Sequence, residues 1–144
     1  MKIKKFMVVF AAALFLPVAI ATADVSDNLY WGQVTDVYDG DSLTAEIALW
    51  PGHYVQAKVR IRGIDAPEIR GKCEAERQQA RLARDFLKQA ILGQKIMLSD
   101  VAREKYGRIL ASVSKADGKS VSEMMADEGL ARRYQGKTRQ SWCL

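Results

Sequence analysis

Hydrophobic and polar positions change their period along the chain, and these changes predict its strands and helices. Aromatic and β-branched residues predict a first strand over 29–37, and two-residue alternation predicts strands over 42–49 and 54–64. Turn-forming dipeptides separate these three strands. Helical spacing then predicts a helix over 73–92, which ends before Gly93.

The second half of the chain continues this mixed pattern. Further strands are predicted over 95–101 and 109–114, and a short helix over 121–128, whereas the tail over 130–144 predicts no regular element. The strand count and the helix after the third strand indicate an α+β, mainly β fold. We expect a five-stranded Greek-key barrel of the oligonucleotide-binding type, capped by two to three helices. Closure of the barrel would remove exposed strand edges.

The start of the chain has the pattern of an export signal. Three of the first five residues are lysines, an apolar stretch covers 6–20, and a small-residue triplet covers 21–23. The stretch is shorter than the roughly 20 residues that a membrane-spanning helix needs. We therefore expect a cleaved signal peptide over 1–23 and a single secreted or periplasmic domain over 24–144, without stable membrane association. An uncleaved anchor is the alternative.

Length and charge narrow the class of protein. A chain of 144 residues fits one domain, and its 27% of charged residues excludes a fibrous or disordered protein. The net charge of +5 hints at an anionic partner. Loss of the signal peptide would remove three lysines and no acid, which lowers that charge to +2. Affinity for an anion must therefore come from where the charges lie.

The chain has two cysteines, Cys73 and Cys143. Export and an even cysteine count favour a disulfide between them. Such a bridge would tether the C-terminal tail by closing a loop of about 70 residues, and its stabilisation would be on the order of 4 kcal/mol. Two unpaired thiols are the alternative.

The scarcity of histidine limits the chemistry available. The single histidine lies in a predicted turn, which excludes paired catalytic histidines and a zinc site built from several of them. Acidic residues flank two other turns, Asp39 and Asp41 in the first, Asp65 and Glu68 in the second. Together these oxygens suit a hard cation. Each turn taken alone is also explained by ordinary turn chemistry.

Two arginines accompany the acidic turns. Arg60 lies on the strand that leads into the second acidic loop, and Arg108 immediately precedes the fifth strand. A guanidinium group carries a permanent charge and presents a fork that fits two phosphate oxygens. A single arginine is usually a solvated surface charge. The combination with the carboxylates indicates phosphate chemistry.

Three longer motifs follow one another in a fixed order. They are Val37-Tyr38-Asp39-Gly40-Asp41-Ser42-Leu43, Val59-Arg60-Ile61-Arg62-Gly63-Ile64-Asp65-Ala66-Pro67-Glu68 and Lys105-Tyr106-Gly107-Arg108-Ile109-Leu110-Ala111. Their order and spacing over residues 34–134 resemble the signatures of the thermonuclease, or staphylococcal nuclease-like, family. The resemblance implies that family's barrel, a Ca²⁺ cofactor, and cleavage of DNA and RNA to 3′-phosphorylated products.

The resemblance also implies roles for individual residues. Position by position, the metal ligands would be Asp41, Asp65 and the backbone carbonyl of Ala66, with Asp39 directly behind them. The catalytic set would be Arg60, Glu68 and Arg108, and the substrate contacts would be Lys105, Tyr106 and Tyr134. Physically, a glutamate can orient or deprotonate water, while a cation and two arginines can neutralise charge that builds on phosphoryl oxygens.

Departures from the family pattern lie beside these residues. Ser42 and Ala66 stand where the family often has threonine; Ser42 keeps a hydroxyl group, and Ala66 would contribute its main chain alone. The segment from Glu68 to the helix is short and contains Cys73, so we expect a small, tethered loop there.

The alternative from another class is an exported, non-catalytic module that binds single-stranded nucleic acid by aromatic stacking in a basic groove. Such a module has no need for the whole acidic and arginine set. In either case we expect a monomer, with the basic residues of the tail forming an outer track for phosphates. Those residues are Arg132, Arg133, Lys137 and Arg139.

Overall fold

The structure of the protein, a computed structural model, describes residues 28–143. The predicted signal peptide lies outside the described residues. The elements in chain order are β1 (Tyr30–Asp39), β2 (Ser42–Trp50), β3 (His53–Ile61), β4 (Ile64–Asp65), α1 (Glu74–Ile91), β5 (Lys95–Arg103), β6 (Ile109–Lys115), α2 (Val121–Asp127) and β7 (Arg132–Arg133). A short 3₁₀ turn, Lys105–Gly107, lies between β5 and β6.

Five of the strands close into a barrel in the order β1-β2-β3-β6-β5, with β5 pairing back onto β1. The pair β3–β6 is parallel, and the other neighbours are antiparallel. The expected five-stranded barrel with capping helices is therefore confirmed. Its parallel pair sets Arg60 beside Leu110, which brings the end of β3 close to the start of β6.

The core follows the alternation seen in the sequence. Inward-facing residues of successive strands, such as Val34, Leu43 and Val59, are at most 3% exposed. On α1, residues at helical spacing, including Ala83 and Leu87, are fully buried and close the barrel. The helix therefore lies directly behind the turn between β1 and β2.

The third predicted strand, over 54–64, ends earlier than expected. β3 stops at Ile61, and Gly63 turns the chain with a φ of +88°, a conformation that favours glycine. Ile64 and Asp65 then form β4 and pair with β7, a short strand of the tail for which no regular element was predicted. The tail is thus attached to the loop that carries Asp65.

A disulfide between Cys73 and Cys143 holds the end of the described chain, with 5.9 Å between the two Cα atoms. The predicted pairing is therefore present in the structure. Because Cys73 immediately precedes α1, the bridge fixes the tail next to the loop that follows Glu68. Within residues 28–143, no helix has the length and apolar character to cross a membrane.

Candidate active site

The first acidic turn connects β1 to β2 and packs tightly against its neighbours. A Cβ atom built on Gly40 would lie 2.8 Å from the Cβ atoms of both Ala66 and Ala83. Real Cβ atoms do not approach that closely, so the position requires glycine for space. This close approach sets Asp39 and Asp41 against the second acidic loop.

Asp41 is 2% exposed, and both of its carboxylate oxygens are hydrogen-bonded. Its Oδ1 accepts from Nη1 of Arg60 at 2.7 Å and from the hydroxyl of Ser42 at 2.9 Å. Its Oδ2 accepts from the backbone N–H of Ala66 at 2.9 Å. Donors from two strands and from the loop after β4 therefore fix the orientation of this carboxylate, and the pairing also positions the Arg60 guanidinium.

Asp39 lies beside Asp41, lines the cleft and is 7% exposed, slightly more than Asp41. Burial, followed by the negative charge of Asp41, raises the pKa of Asp39 from its ordinary value to about 7. The backbone N–H of Asp41 donates to Oδ1 of Asp39 at 3.1 Å, which partly opposes that rise. Near neutral pH this carboxyl group is therefore divided between its protonated and ionised forms.

Asp65, on β4, has one satisfied oxygen and one unsatisfied oxygen. Its side chain is 4% exposed, and Oδ2 accepts from the indole N–H of Trp142 at 3.1 Å. Its Oδ1 accepts no hydrogen bond from the described residues. Arg60 lies 3.7 Å and Arg139 lies 2.5 Å from this oxygen, but neither directs an N–H group at it with hydrogen-bond geometry.

Glu68, Arg108 and Arg60 line one cleft, which has a volume of about 620 Å³. The backbone N–H of Glu68 donates to buried Glu76 at 3.3 Å, which anchors the loop, while its side chain stays half-exposed and open to water. Arg108 pairs with Glu104 at 2.5 Å rather than with Glu68. The three expected catalytic residues are thus in one cleft, with the two arginines held by different carboxylates.

The expected substrate contacts lie at the rim. Lys105 and Tyr106 are exposed in the 3₁₀ turn, and Tyr106 is fully exposed with a φ of +64°. Tyr106 lies in a neighbouring depression that shares Arg108 with the main cleft. Tyr134 lines the main cleft and donates its hydroxyl to the backbone carbonyl of Lys137.

The donor set at this site fits a hard divalent cation. Asp41, Asp65 and the carbonyl of Ala66 all offer oxygen, which Ca²⁺ and Mg²⁺ prefer. The buried Oδ1 of Asp65, without a hydrogen bond from the described residues, is an anionic atom that a cation would satisfy.

Two residues of the site were not anticipated in these positions. Arg139, expected on an outer track, instead lies inside the cleft against Asp65 and Glu68. Trp142 was given no role and holds Asp65. The signal for both was the cysteine pair, because a bridge from Cys143 to Cys73 returns the preceding tail residues to the loop after Glu68.

The other tail cations differ from Arg139. Arg132 stacks on the ring of Trp142 at 3.7 Å from the centroid, Arg133 lies 3.5 Å from Asp127, and Lys137 is exposed. These three residues line a depression beside Asp65, separate from the cleft that holds Arg139.

Comparison with known proteins gives consistent results. A probable endonuclease of Nakaseomyces delphensis is 35% identical over 83 residues, which are 56% of this chain and 32% of that protein. An uncharacterized endonuclease of Escherichia coli is 29% identical over 104 residues, 72% of this chain, and the match spans about three fifths (61%) of that relative. The family model described as staphylococcal nuclease homologue matches residues 58–142, which is more than half of the chain. The chain therefore belongs to the staphylococcal nuclease homologue family.

Proposed function

We propose that this domain is a Ca²⁺-dependent endonuclease that hydrolyses phosphodiester bonds of DNA and RNA and leaves 3′-phosphorylated products. The observation that carries the proposal is one cleft lined by Arg60, Glu68 and Arg108, in which Arg60 is held from beneath by the buried carboxylates of Asp41 and Asp65. Family membership and two relatives named endonucleases support a nuclease activity.

The arginines bind and polarise the substrate phosphate. Arg60 donates one hydrogen bond to Asp41 at 2.7 Å and one to the backbone carbonyl of Ile64 at 3.4 Å. Its remaining N–H groups can donate to a phosphate. Arg108 binds the same phosphate after its ion pair with Glu104 breaks. Both act electrostatically, because a guanidinium group does not release its proton at neutral pH.

Glu68 activates the attacking water. Its side chain is half-exposed, so water reaches it, and its ionised carboxylate accepts the proton as the water oxygen bonds to phosphorus. The bond from phosphorus to the 5′ oxygen breaks, which leaves the phosphate on the 3′ side. The departing oxygen takes a proton from solvent, since neither arginine is an effective donor.

Asp41, Asp65 and the Ala66 carbonyl would hold the divalent cation, with Asp39 beside Asp41. When bound, the cation would stabilise the negative charge that develops on the phosphoryl oxygens. The Asp41 carboxylate is already fixed by its hydrogen bonds, so its position would not have to change when the cation binds.

We further propose that the protein is exported and acts as a monomer. The pattern of residues 1–23 supports export, and so does the Cys73–Cys143 bridge, since disulfides persist in oxidising compartments.

The test is a cleavage assay on single-stranded DNA, duplex DNA and RNA, each with CaCl₂, with MgCl₂ and with EDTA. We expect cleavage in CaCl₂, none in EDTA, and product ends that accept 5′ label from polynucleotide kinase but need phosphatase before 3′ extension. Full cleavage in EDTA would contradict the cation requirement. Binding of DNA without cleavage in any condition would favour the non-catalytic module of the same fold.

A further inference from the structure

One side chain of the tail contacts oxygen atoms of three site residues. Nε of Arg139 lies 2.5 Å from Oδ1 of Asp65, and Nη1 lies 2.5 Å from Oε1 of Glu68. Nη2 donates to the backbone carbonyl of Ala66 at 3.4 Å. Asp65 and Ala66 are two of the proposed cation ligands, and Glu68 is the proposed base. A guanidinium group therefore occupies the oxygens that the reaction needs.

The segment that carries Arg139 is anchored immediately after it. Trp142 donates to Asp65 and lies under Arg132, whose Nη1 also donates to the carbonyl of Ser141 at 3.0 Å. The disulfide to Cys73 then fixes the end of the segment. The backbone beside Arg139 is thus held at the cleft, so its effective concentration there is high even when the side chain swings away.

The side chain of Arg139 itself is free to exchange. It is 41% exposed, whereas the carboxylate of Asp65 beneath it is 4% exposed. Partial burial alone would lower the pKa of Arg139, but the hydrogen bond to Glu68 and the charge of Asp65 outweigh it and raise that pKa. A partly exposed ion pair contributes little net free energy, and the contact between Nε and Oδ1 of Asp65 lacks hydrogen-bond geometry. These contacts can therefore be displaced.

We propose that Arg139 is a tethered cation that competes with the divalent cation for Asp65 and Ala66 and covers Glu68 in the cation-free protein. The inference rests on the proposed function, because it concerns the same cleft. Its consequence is that the divalent cation must displace the arginine. The site is then closed by its own tail until the cation is present.

The size of the effect follows from the closed fraction. The apparent dissociation constant of the cation equals its intrinsic value divided by the open fraction. If Arg139 closes the site nine tenths of the time, its removal tightens cation binding by about tenfold.

The test is the affinity for Ca²⁺ measured by isothermal titration calorimetry, on folded protein without substrate. Arg139→Gln keeps a polar side chain of similar reach and removes the charge; we expect about tenfold tighter binding. Lys119→Gln is the matched control, since it removes the same charge from an exposed turn whose ion pair is with Asp117. Unchanged or weaker binding in Arg139→Gln, or no measurable binding in either protein, would overturn the proposal.

A second variant tests the tether. Cys73→Ser combined with Cys143→Ser releases the tail, and we expect tighter Ca²⁺ binding than in the wild type. In the Arg139→Gln background the same pair of changes should add little, because both act through one contact. Circular dichroism verifies the fold of each variant. Equal tightening in both backgrounds would show that the bridge acts independently of Arg139 and would count against the tether.

Cleavage assays separate this inference from the proposed function. Absence of nuclease activity under every condition would remove the function, while the calorimetric difference would still support a tethered competing cation. Normal Ca²⁺-dependent cleavage with equal affinity in wild type and Arg139→Gln would overturn the tether alone. A lower kcat at saturating Ca²⁺ with unchanged affinity would also overturn it, because Arg139 would then be a third catalytic arginine.

Discussion

Two aspartates separated by one glycine occupy different environments. Asp41 receives hydrogen bonds from Arg60, Ser42 and Ala66, which hold its carboxylate in place. Asp39 is buried beside that negative charge, and its pKa rises to about 7. The motif predicted that both residues would lie at the site. The difference between them depends on burial and on donors that come from distant parts of the chain, which the local sequence does not specify.

The raised pKa of Asp39 predicts a pH dependence of stability in the metal-free protein. Between the ordinary aspartate pKa of 3.8 and the raised pKa of about 7, the folded state binds more protons than the unfolded state. Protonation of Asp39 therefore contributes fully to the free energy of unfolding below pH 3.8, and this contribution is lost as the pH rises through about 7. Asp39→Asn cannot ionise, so its free energy of unfolding relative to wild type should increase from pH 4 to pH 8 by on the order of 4 kcal/mol.

Urea unfolding in EDTA at pH 4 and pH 8 measures this difference. Asp36→Asn is the control, because Asp36 is an exposed aspartate on the same strand. If the free energy of unfolding of Asp39→Asn changes with pH by the same amount as that of the wild type, the result would be inconsistent with a buried carboxyl group of raised pKa.

At the scale of elements, the turn between β1 and β2 depends on the packing of α1. Gly40→Ala would place a Cβ atom 2.8 Å from the Cβ atoms of Ala66 and Ala83, which cannot move without their backbones. We expect a loss of about 1–3 kcal/mol in the free energy of unfolding. We also expect weaker Ca²⁺ binding, since Asp39 and Asp41 shift with the turn.

Gly52→Ala is the matched control for that change. Gly52 lies in the turn between β2 and β3 with a φ of +80° and no atom within 4 Å of a built Cβ. Its substitution should cost about 1 kcal/mol through backbone strain alone. It should leave Ca²⁺ affinity unchanged. A Gly40→Ala protein as stable as the wild type, with normal affinity, would refute the close packing.

The elements that could be predicted are those with enough residues to show a period. The predicted helix over 73–92 corresponds to α1 at Glu74–Ile91, because several turns of apolar spacing mark its buried face. The pair β4–β7 has two residues in each strand and therefore no detectable alternation. It forms because the tail is brought back to the barrel, and that return depends on the long-range Cys73–Cys143 contact.

For the whole molecule, placement of charge matters more than its total. The chain carries a net charge of +5, but the residues that define the cleft pair acids with arginines: Asp41 with Arg60, Glu104 with Arg108, and Asp65 and Glu68 with Arg139. The motifs predicted Asp41, Arg60, Asp65, Glu68 and Arg108 as residues of the site. They did not predict that the tail would cross the cleft, because nothing local marks residues 139–142 as different from other tail residues.

The most direct test of the central claim is kcat for DNA cleavage at saturating Ca²⁺ in wild type, Glu68→Gln and the exposed-surface control Glu46→Gln. If Glu68 takes the proton of the attacking water, Glu68→Gln should lower kcat by at least about 100-fold with its circular dichroism spectrum unchanged. Glu46→Gln should retain wild-type turnover. Wild-type turnover by Glu68→Gln would contradict the assignment of this cleft as the nuclease site.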